Sequence, residues 1–232
     1  MSGRRPSLRS AIGAMLAKEL RLELRAPQLL PAMALFSVAT MIVFHFSLQR
    51  DAVAGSLAAG VLTVTLLFSA MLGIARLFVA DHEEGGFDGF LLAPIDRSAL
   101  LIAKAMALFL FLVIMEVVAV AAYALLLLEP AAGARLLGQT ALTLLLADVG
   151  IAVIGTLVGA LAVQTRARDL MVPVIALPLL VPVVIATAKL LAPTFAQGGA
   201  EALPGQWLAV LGLYDLVFGL LAYGLFDFLV ED

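Results

Sequence analysis

The feature that most constrains this chain is a series of six apolar runs, each about long enough to cross a bilayer as a helix. The runs cover residues of about 29–48, 57–79, 100–128, 136–163, 170–192 and 207–230. They lack a strong period-two alternation and exceed the length of a barrel strand, so helices are the only spanning solution. The sequence therefore predicts an all-α integral membrane protein with six transmembrane helices.

Composition supports this class of protein. The chain is 63% hydrophobic and 13% charged, whereas a soluble domain has about 25% charged residues. Such a chain has too little polar surface to cover a globule in water. It contains no cysteine, which excludes disulfides, thiolate metal sites, a cysteine nucleophile and haem attachment through C-x-x-C-H by this chain.

The placement of lysine and arginine predicts the orientation in the membrane. Eleven of these residues fall in the segments before the first span, around the second connection and in the fourth, and three fall on the opposite side. The three are Arg50, Arg135 and Lys189. Because basic residues concentrate on the cytoplasmic side, both termini and the connection between spans two and three are expected in the cytoplasm.

The N-terminal segment, residues 1–28, is predicted to form a cytoplasmic amphipathic helix before the transmembrane domain of residues 29–232. Apolar side chains recur at helical spacing on one face, and basic residues line the other side. The apolar positions are Leu8, Ile12, Met15, Leu16 and Leu20. A basic amphipathic helix of this kind commonly lies in the headgroup plane. The alternative is a positively charged tail that only orients the first span.

The connection between spans two and three is an acidic, glycine-containing loop, VADHEEGGFDGFLLAPIDRSALLIAK. Phe87, Phe90 and Leu91 recur at helical spacing between acidic residues, which predicts a short amphipathic element. An apolar and acidic surface of this type suits docking into a groove on a soluble partner. The predicted docking residues are Asp81, Glu83, Glu84, Phe87, Asp88, Phe90 and Leu91. The alternative is a solvated connector on the membrane.

The sequence does not predict an enzyme. A phosphate-binding P-loop requires a glycine-rich turn followed by Gly-Lys and Ser or Thr, but Lys18, Lys104 and Lys189 each follow alanine. The two histidines, His45 and His82, are predicted on opposite sides of the membrane and cannot form a metal site within one chain. His45 could ligate haem near the end of span one, although a structural histidine is the commoner case.

Three acids are predicted inside the bilayer, where an ionisable residue costs about 2.5–3.5 kcal/mol and usually faces a partner or a cavity. They are Glu116 in span three, Asp148 in span four and Asp215 in span six. One interpretation is a polar seam that touches substrate or a partner subunit. The other is a set of protonated or hydrogen-bonded acids that fix helix packing. The sequence leaves both open.

Small residues and prolines mark spans four and five. Gly155 and Gly159 form a G-x-x-x-G pattern, which favours close helix contact. Pro173, Pro178 and Pro182 lie within span five, where each removes a backbone hydrogen bond. We expect these prolines to bend the helix, and the freed carbonyls to find partners on neighbouring helices or in water.

The chain resembles the haem exporter protein B family, the cytochrome c maturation permeases, from about Lys18 to Trp207. The resemblance rests on the KELRLELR segment, the acidic loop, and the LTLLLADVGIAVIGTLVGALAV and IALPLLVPVVIATA spans. Its most specific pieces are the proline-spaced LPLLVP and a loop pattern carried here by Arg76, Phe78, Asp81, Gly85 and Pro94.

The resemblance implies an ABC-2-type exporter permease in the bacterial cytoplasmic (inner) membrane. Such a permease couples ATP hydrolysis by a separate subunit to haem delivery or to release of a haem-loaded periplasmic chaperone. The implied partners are an ABC ATP-binding subunit, a haem-handling membrane protein, a small single-span membrane protein, the periplasmic chaperone and a second permease copy. No nucleic acid is expected. No cofactor is expected on this chain, since ATP binds the partner subunit and haem is handled by other subunits.

Two other functions remain open at the level of sequence. One is an ABC-2 permease that exports a lipid, a polysaccharide or a drug. The other is a membrane scaffold without ABC function. A neighbouring gene for an ATPase with Walker motifs would exclude the scaffold, and a neighbouring haem-lyase-type gene would exclude the general exporter.

Overall fold

The computed structural model describes residues 7–48, 52–78, 97–128, 133–163 and 168–229. This part of the chain contains seven α-helices and no strand. They are α1 (Leu8–Arg25), α2 (Leu29–Leu48), α3 (Gly55–Arg76), α4 (Arg97–Leu126), α5 (Ala134–Val163), α6 (Arg168–Thr194) and α7 (Gly205–Leu229).

Helices α2 to α7 are the predicted membrane spans. Each has a stretch long and apolar enough to cross a bilayer, with mean hydropathy between 1.9 and 2.6. The shortest, α2, has 20 residues, which at 1.5 Å per residue is about 30 Å, the thickness of the hydrocarbon core. The predicted fold class is confirmed: the chain is a multi-pass, all-helical membrane protein with an additional N-terminal helix. The division into two domains stays a prediction.

Backbone hydrogen bonds show that α3 starts where α4 and α6 end. The amide of Val53 donates to the carbonyl of Leu127 at 2.9 Å, and that of Gly55 donates to Phe195 at 2.6 Å. Gly55 has a φ of 58°, a left-handed conformation that glycine adopts without strain. We call this end of the bundle the far end, and the opposite end, where α1 packs, the α1 end.

Two spans form the interior of the bundle. In an apolar stretch of 18 residues from each span, 67% of the residues are buried in α3 and 72% in α5. The corresponding share is 22% in α2 and 11% in α7. Helix α7 therefore turns most of its side chains outward. In a bilayer, this outward face meets lipid or the helices of another protein.

The G-x-x-x-G pattern lies where α5 packs closely against α3 and α4. A Cβ atom on Gly155 would lie 2.6 Å from Ile74 Cγ1 and 3.0 Å from Leu108 Cδ2. One on Gly159 would lie 3.0 Å from a carbon of the Phe78 ring. The predicted close contact is confirmed, and its partners are the end of α3 and the side of α4.

Helix α6 runs without interruption through Pro173, Pro178, Pro182 and Pro193. The prolines are thus accommodated within one helix, and a bend at the first three stays a prediction. Near the third, the hydroxyl of Tyr214 on α7 donates to the carbonyl of Leu179 at 2.7 Å. A neighbouring helix therefore donates to the backbone of α6 close to Pro182, while partners for the carbonyls that the prolines free stay a prediction.

Candidate functional site

The predicted docking residues of the acidic loop all lie outside the described part of the chain. Those residues are Asp81, Glu83, Glu84, Phe87, Asp88, Phe90 and Leu91. Their proposed contact with a soluble partner stays a prediction. The structure does describe the two flanks of this segment, which are the end of α3 with Leu77 and Phe78, and the start of α4.

A buried lysine joins these flanks to α1. Lys104, in the second turn of α4, has only 2% of its side chain exposed. Its Nζ donates to Glu19 Oε1 on α1 at 2.9 Å and to the Leu77 carbonyl at 2.8 Å. The ammonium also lies 5.2 Å from the centre of the Phe78 ring, within range of a cation–π interaction. One side chain therefore holds three segments together at the α1 end.

A second acid of α1 secures the start of the first span. Glu23 Oε1 accepts hydrogen bonds from the backbone amides of Gln28, Leu29 and Leu30 at 3.1, 3.0 and 2.8 Å. The first amides of a helix have no partner within it, so a carboxylate placed here satisfies them and complements the helix dipole. Glu19 and Glu23 are four residues apart, and both tie α1 to the bundle.

The apolar face of α1 packs on the bundle. Met15, Leu16 and Leu20, all predicted apolar positions, contact the buried core, and Ala11 is buried. Leu24 at the other side of the helix is 81% exposed. The helix is therefore docked on the bundle through one face and leaves apolar side chains free, which is compatible with a position at the membrane surface.

Two of the three predicted intramembrane acids meet. The carboxyl groups of Glu116 on α4 and Asp148 on α5 lie close enough to share a hydrogen bond, and their side chains are 8% and 1% exposed. Asp215 on α7 is separate: its Oδ1 packs against Gly150 on α5 and has no hydrogen-bond partner among the described residues. The structure thus brings together one pair rather than a continuous seam of three.

His45 has a structural contact. Its Nδ1 lies 2.6 Å from the carbonyl of Leu126, and since a carbonyl only accepts, Nδ1 carries the hydrogen. This bond ties the end of α2 to the end of α4. Among the described residues, no group of three or more His, Cys, Asp or Glu side chains could hold a metal ion.

Sequence reasoning did not identify the Lys104 junction. The charge count includes Lys104 among the positive charges that orient the chain, and such a count does not distinguish a buried lysine from an exposed one. One signal was available: Glu19 and Glu23 are acids four residues apart in an otherwise basic helix, a pattern that indicates specific partners rather than attraction to anionic lipid.

The chain is similar to known proteins over most of its length. A family profile described as CcmB protein matches residues 10–225. A protein of Rhodobacter capsulatus, named Heme exporter protein B, is 33% identical over 145 residues. That alignment covers 62% of this chain and 65% of the relative, so it spans slightly less than two thirds of the relative's own length.

Proposed function

Because the chain belongs to the CcmB protein family, we propose that it is the membrane subunit of a haem exporter that serves cytochrome c maturation. The observation that carries the proposal is the family match across residues 10–225, which includes all but the end of the last span. The relative's name attributes haem export to that protein, and we extend this activity to the present chain.

The proposed subunit does not hydrolyse ATP itself. Its three lysines lack the glycine-rich context of a P-loop, so energy comes from a separate ATP-binding subunit. We place the contact with that subunit on the loop of residues 79–96. The Lys104 junction supports this placement, because a force applied to the loop would act on a base in which α1, α3 and α4 are already joined.

The proposed assembly contains further membrane proteins. Besides the ATP-binding subunit, it includes a haem-handling membrane protein, a small single-span protein, a periplasmic haem chaperone and a second copy of this chain. Helix α7 has only 11% of its 18-residue apolar stretch buried, so its outward face can pack against the helices of these membrane partners. Haem and ATP bind to these partners, and the proposed orientation places both termini on the cytoplasmic side of the bacterial inner membrane.

A groove between α4, α5 and α7 bears on the alternative substrates. It has a volume of about 440 Å³ and is lined by apolar side chains such as Leu101, Phe109, Val153 and Ala222, together with Tyr223. A polysaccharide path requires many polar groups, because each sugar hydroxyl needs a hydrogen-bond partner when it leaves water. The groove therefore disfavours polysaccharide as the substrate. An apolar groove also suits a lipid, and the experiment described next distinguishes a lipid exporter from a haem exporter.

The proposal is tested by deleting the gene in its own host and staining denaturing gels for covalently bound haem. We expect c-type cytochromes to lose this haem and to regain it when the wild-type chain is restored. Unchanged c-type cytochromes would contradict the proposal, and loss of a lipid or a drug-efflux activity instead would support the general exporter. The purified chain should hydrolyse ATP only after addition of the ATP-binding subunit.

A further inference from the structure

A small cavity lies beside Glu116, in the interior of the bundle. It has a volume of about 20 Å³ and is lined by side chains from α3, α4, α5 and α6. Most of them are apolar, but three carry oxygen atoms: Thr63, Glu116 and Thr187. A cavity of this size holds one water when two or more polar groups can bond to it.

The polar groups around the cavity fit one water. Thr63 is 5% exposed, and its Oγ1 has no hydrogen-bond partner among the described residues. The hydroxyl of Thr187 donates to the Val183 carbonyl at 2.8 Å, so its oxygen can still accept. A water between them would donate to Glu116 and Thr187 and accept from Thr63, which satisfies a buried hydroxyl that otherwise costs free energy.

Glu116 also lies close enough to Asp148 on α5 for the two carboxyl groups to share a hydrogen bond. An ionised carboxylate can only accept hydrogen bonds, so a hydrogen bond between two carboxyl groups requires at least one proton. Of the other charged groups within α6 and α7, Asp215 lies against Gly150 on α5 and Lys189 is exposed on α6. Asp148 Oδ2 has no hydrogen-bond partner among the described residues.

We propose that Glu116 and Asp148 form a proton-binding site in the interior of the membrane domain, linked by one water in the neighbouring cavity to Thr63. The shared proton joins the two carboxyl groups and thereby links α4 to α5. If the proton leaves, both carboxyl groups are negatively charged in a low-dielectric interior, and their repulsion disfavours the contact. Proton binding is therefore coupled to the packing of α4 against α5, and a rearrangement that separates the carboxyls must release or redistribute the proton.

The test is infrared spectroscopy of the full chain in lipid nanodiscs at pH 7, where a carboxyl group in water is ionised. We expect the C=O stretching band of a protonated carboxyl group. Substitutions Glu116→Gln and Asp148→Asn together should remove the pair's contribution to that band. The control Asp215→Asn should retain it, because Asp215 lies outside the pair. Absence of the band in the wild-type chain, or an unchanged band in the double variant, would overturn the proposal.

Two further measurements test the water and the nature of the bound ion. Thr63→Val keeps the side-chain shape and removes the hydroxyl, so it should shift the frequency of the band without reducing its area; an unshifted band would overturn the link through water. Replacing sodium chloride by choline chloride should leave the band unchanged. A band that appears only without sodium would identify a metal-cation site and overturn the proton assignment. These measurements use the isolated chain, so they are independent of the proposed haem export.

Discussion

Lys104 and Glu19 form an ion pair of 2.9 Å in which the lysine side chain is 2% exposed and the glutamate side chain 14%. The pair joins a helix that precedes the membrane domain to the second turn of α4. A buried ammonium requires both charge compensation and hydrogen-bond acceptors, and here a carboxylate and the Leu77 carbonyl supply them. One buried cation therefore joins α1 to α4 and to the residue that follows α3.

Substituting Lys104→Met should lower the free energy of unfolding by about 3 kcal/mol, because it leaves Glu19 without its counterion in a largely buried position. Unfolding can be followed in detergent by the fluorescence of the single tryptophan, Trp207. Lys189→Met is a matched control, since Lys189 is exposed on another span, and should change stability little.

The Glu19–Lys104 contact can be isolated with a double variant. Each single change, Glu19→Leu or Lys104→Met, already removes the ion pair. The double variant should therefore lose less stability than the sum of the two single variants. Strictly additive losses would show that the two side chains do not stabilise each other.

Substituting Gly155→Ala should lower the free energy of unfolding by about 1–3 kcal/mol, the usual cost of overpacking. The added methyl group would lie 2.6 Å from Ile74 Cγ1, so either the Ile74 side chain or the two helices must shift. Gly138→Ala, on the same helix with nothing within 4 Å of the new methyl group, should be neutral or stabilising. In an Ile74→Ala background the cost at Gly155 should fall; an equal cost there would exclude the proposed clash.

Substitutions Phe87→Ala and Phe90→Ala together should weaken co-purification of the ATP-binding subunit by about 2 kcal/mol, or roughly thirtyfold in affinity, because apolar anchors carry most interface energy. Glu83→Lys should cost less, and its effect should decline with salt, since exposed charges are screened. If the double variant inserts normally and binds the subunit with full affinity, the loop is only a connector.

Cysteine labelling tests the orientation, because the chain has no cysteine of its own. Ser56 and Ala202 are exposed near the far end, so cysteines there should react with a membrane-impermeant reagent added outside the cell. A cysteine at Gln28 should not. Ala202 is chosen over Gly199 in the same connection between α6 and α7, because Gly199 has a φ of 123°, which would strain a cysteine. If only the cysteine at position 28 reacts, the chain has the orientation opposite to the predicted one.

Several local features were predictable from the sequence. The apolar face of α1 through Met15, Leu16 and Leu20 and the small-residue contact at Gly155 and Gly159 both follow from helical spacing, and the structure confirms them. The same spacing did not reveal which helices these residues contact. That Gly155 packs on Ile74 depends on the placement of α3, which no pattern within α5 encodes.

The sequence alone determined the helical class, the six spans and the family. This was possible because a lipid environment leaves the backbone no hydrogen-bond partner except its own, so a long apolar run must be a helix wherever its neighbours lie. The tertiary structure alone decided which polar groups meet: Glu116 with Asp148 but not Asp215, and Lys104 with Glu19. Partners across helices depend on the rotation and order of the spans. Hydropathy records only how apolar each run is, so it carries no information about these contacts.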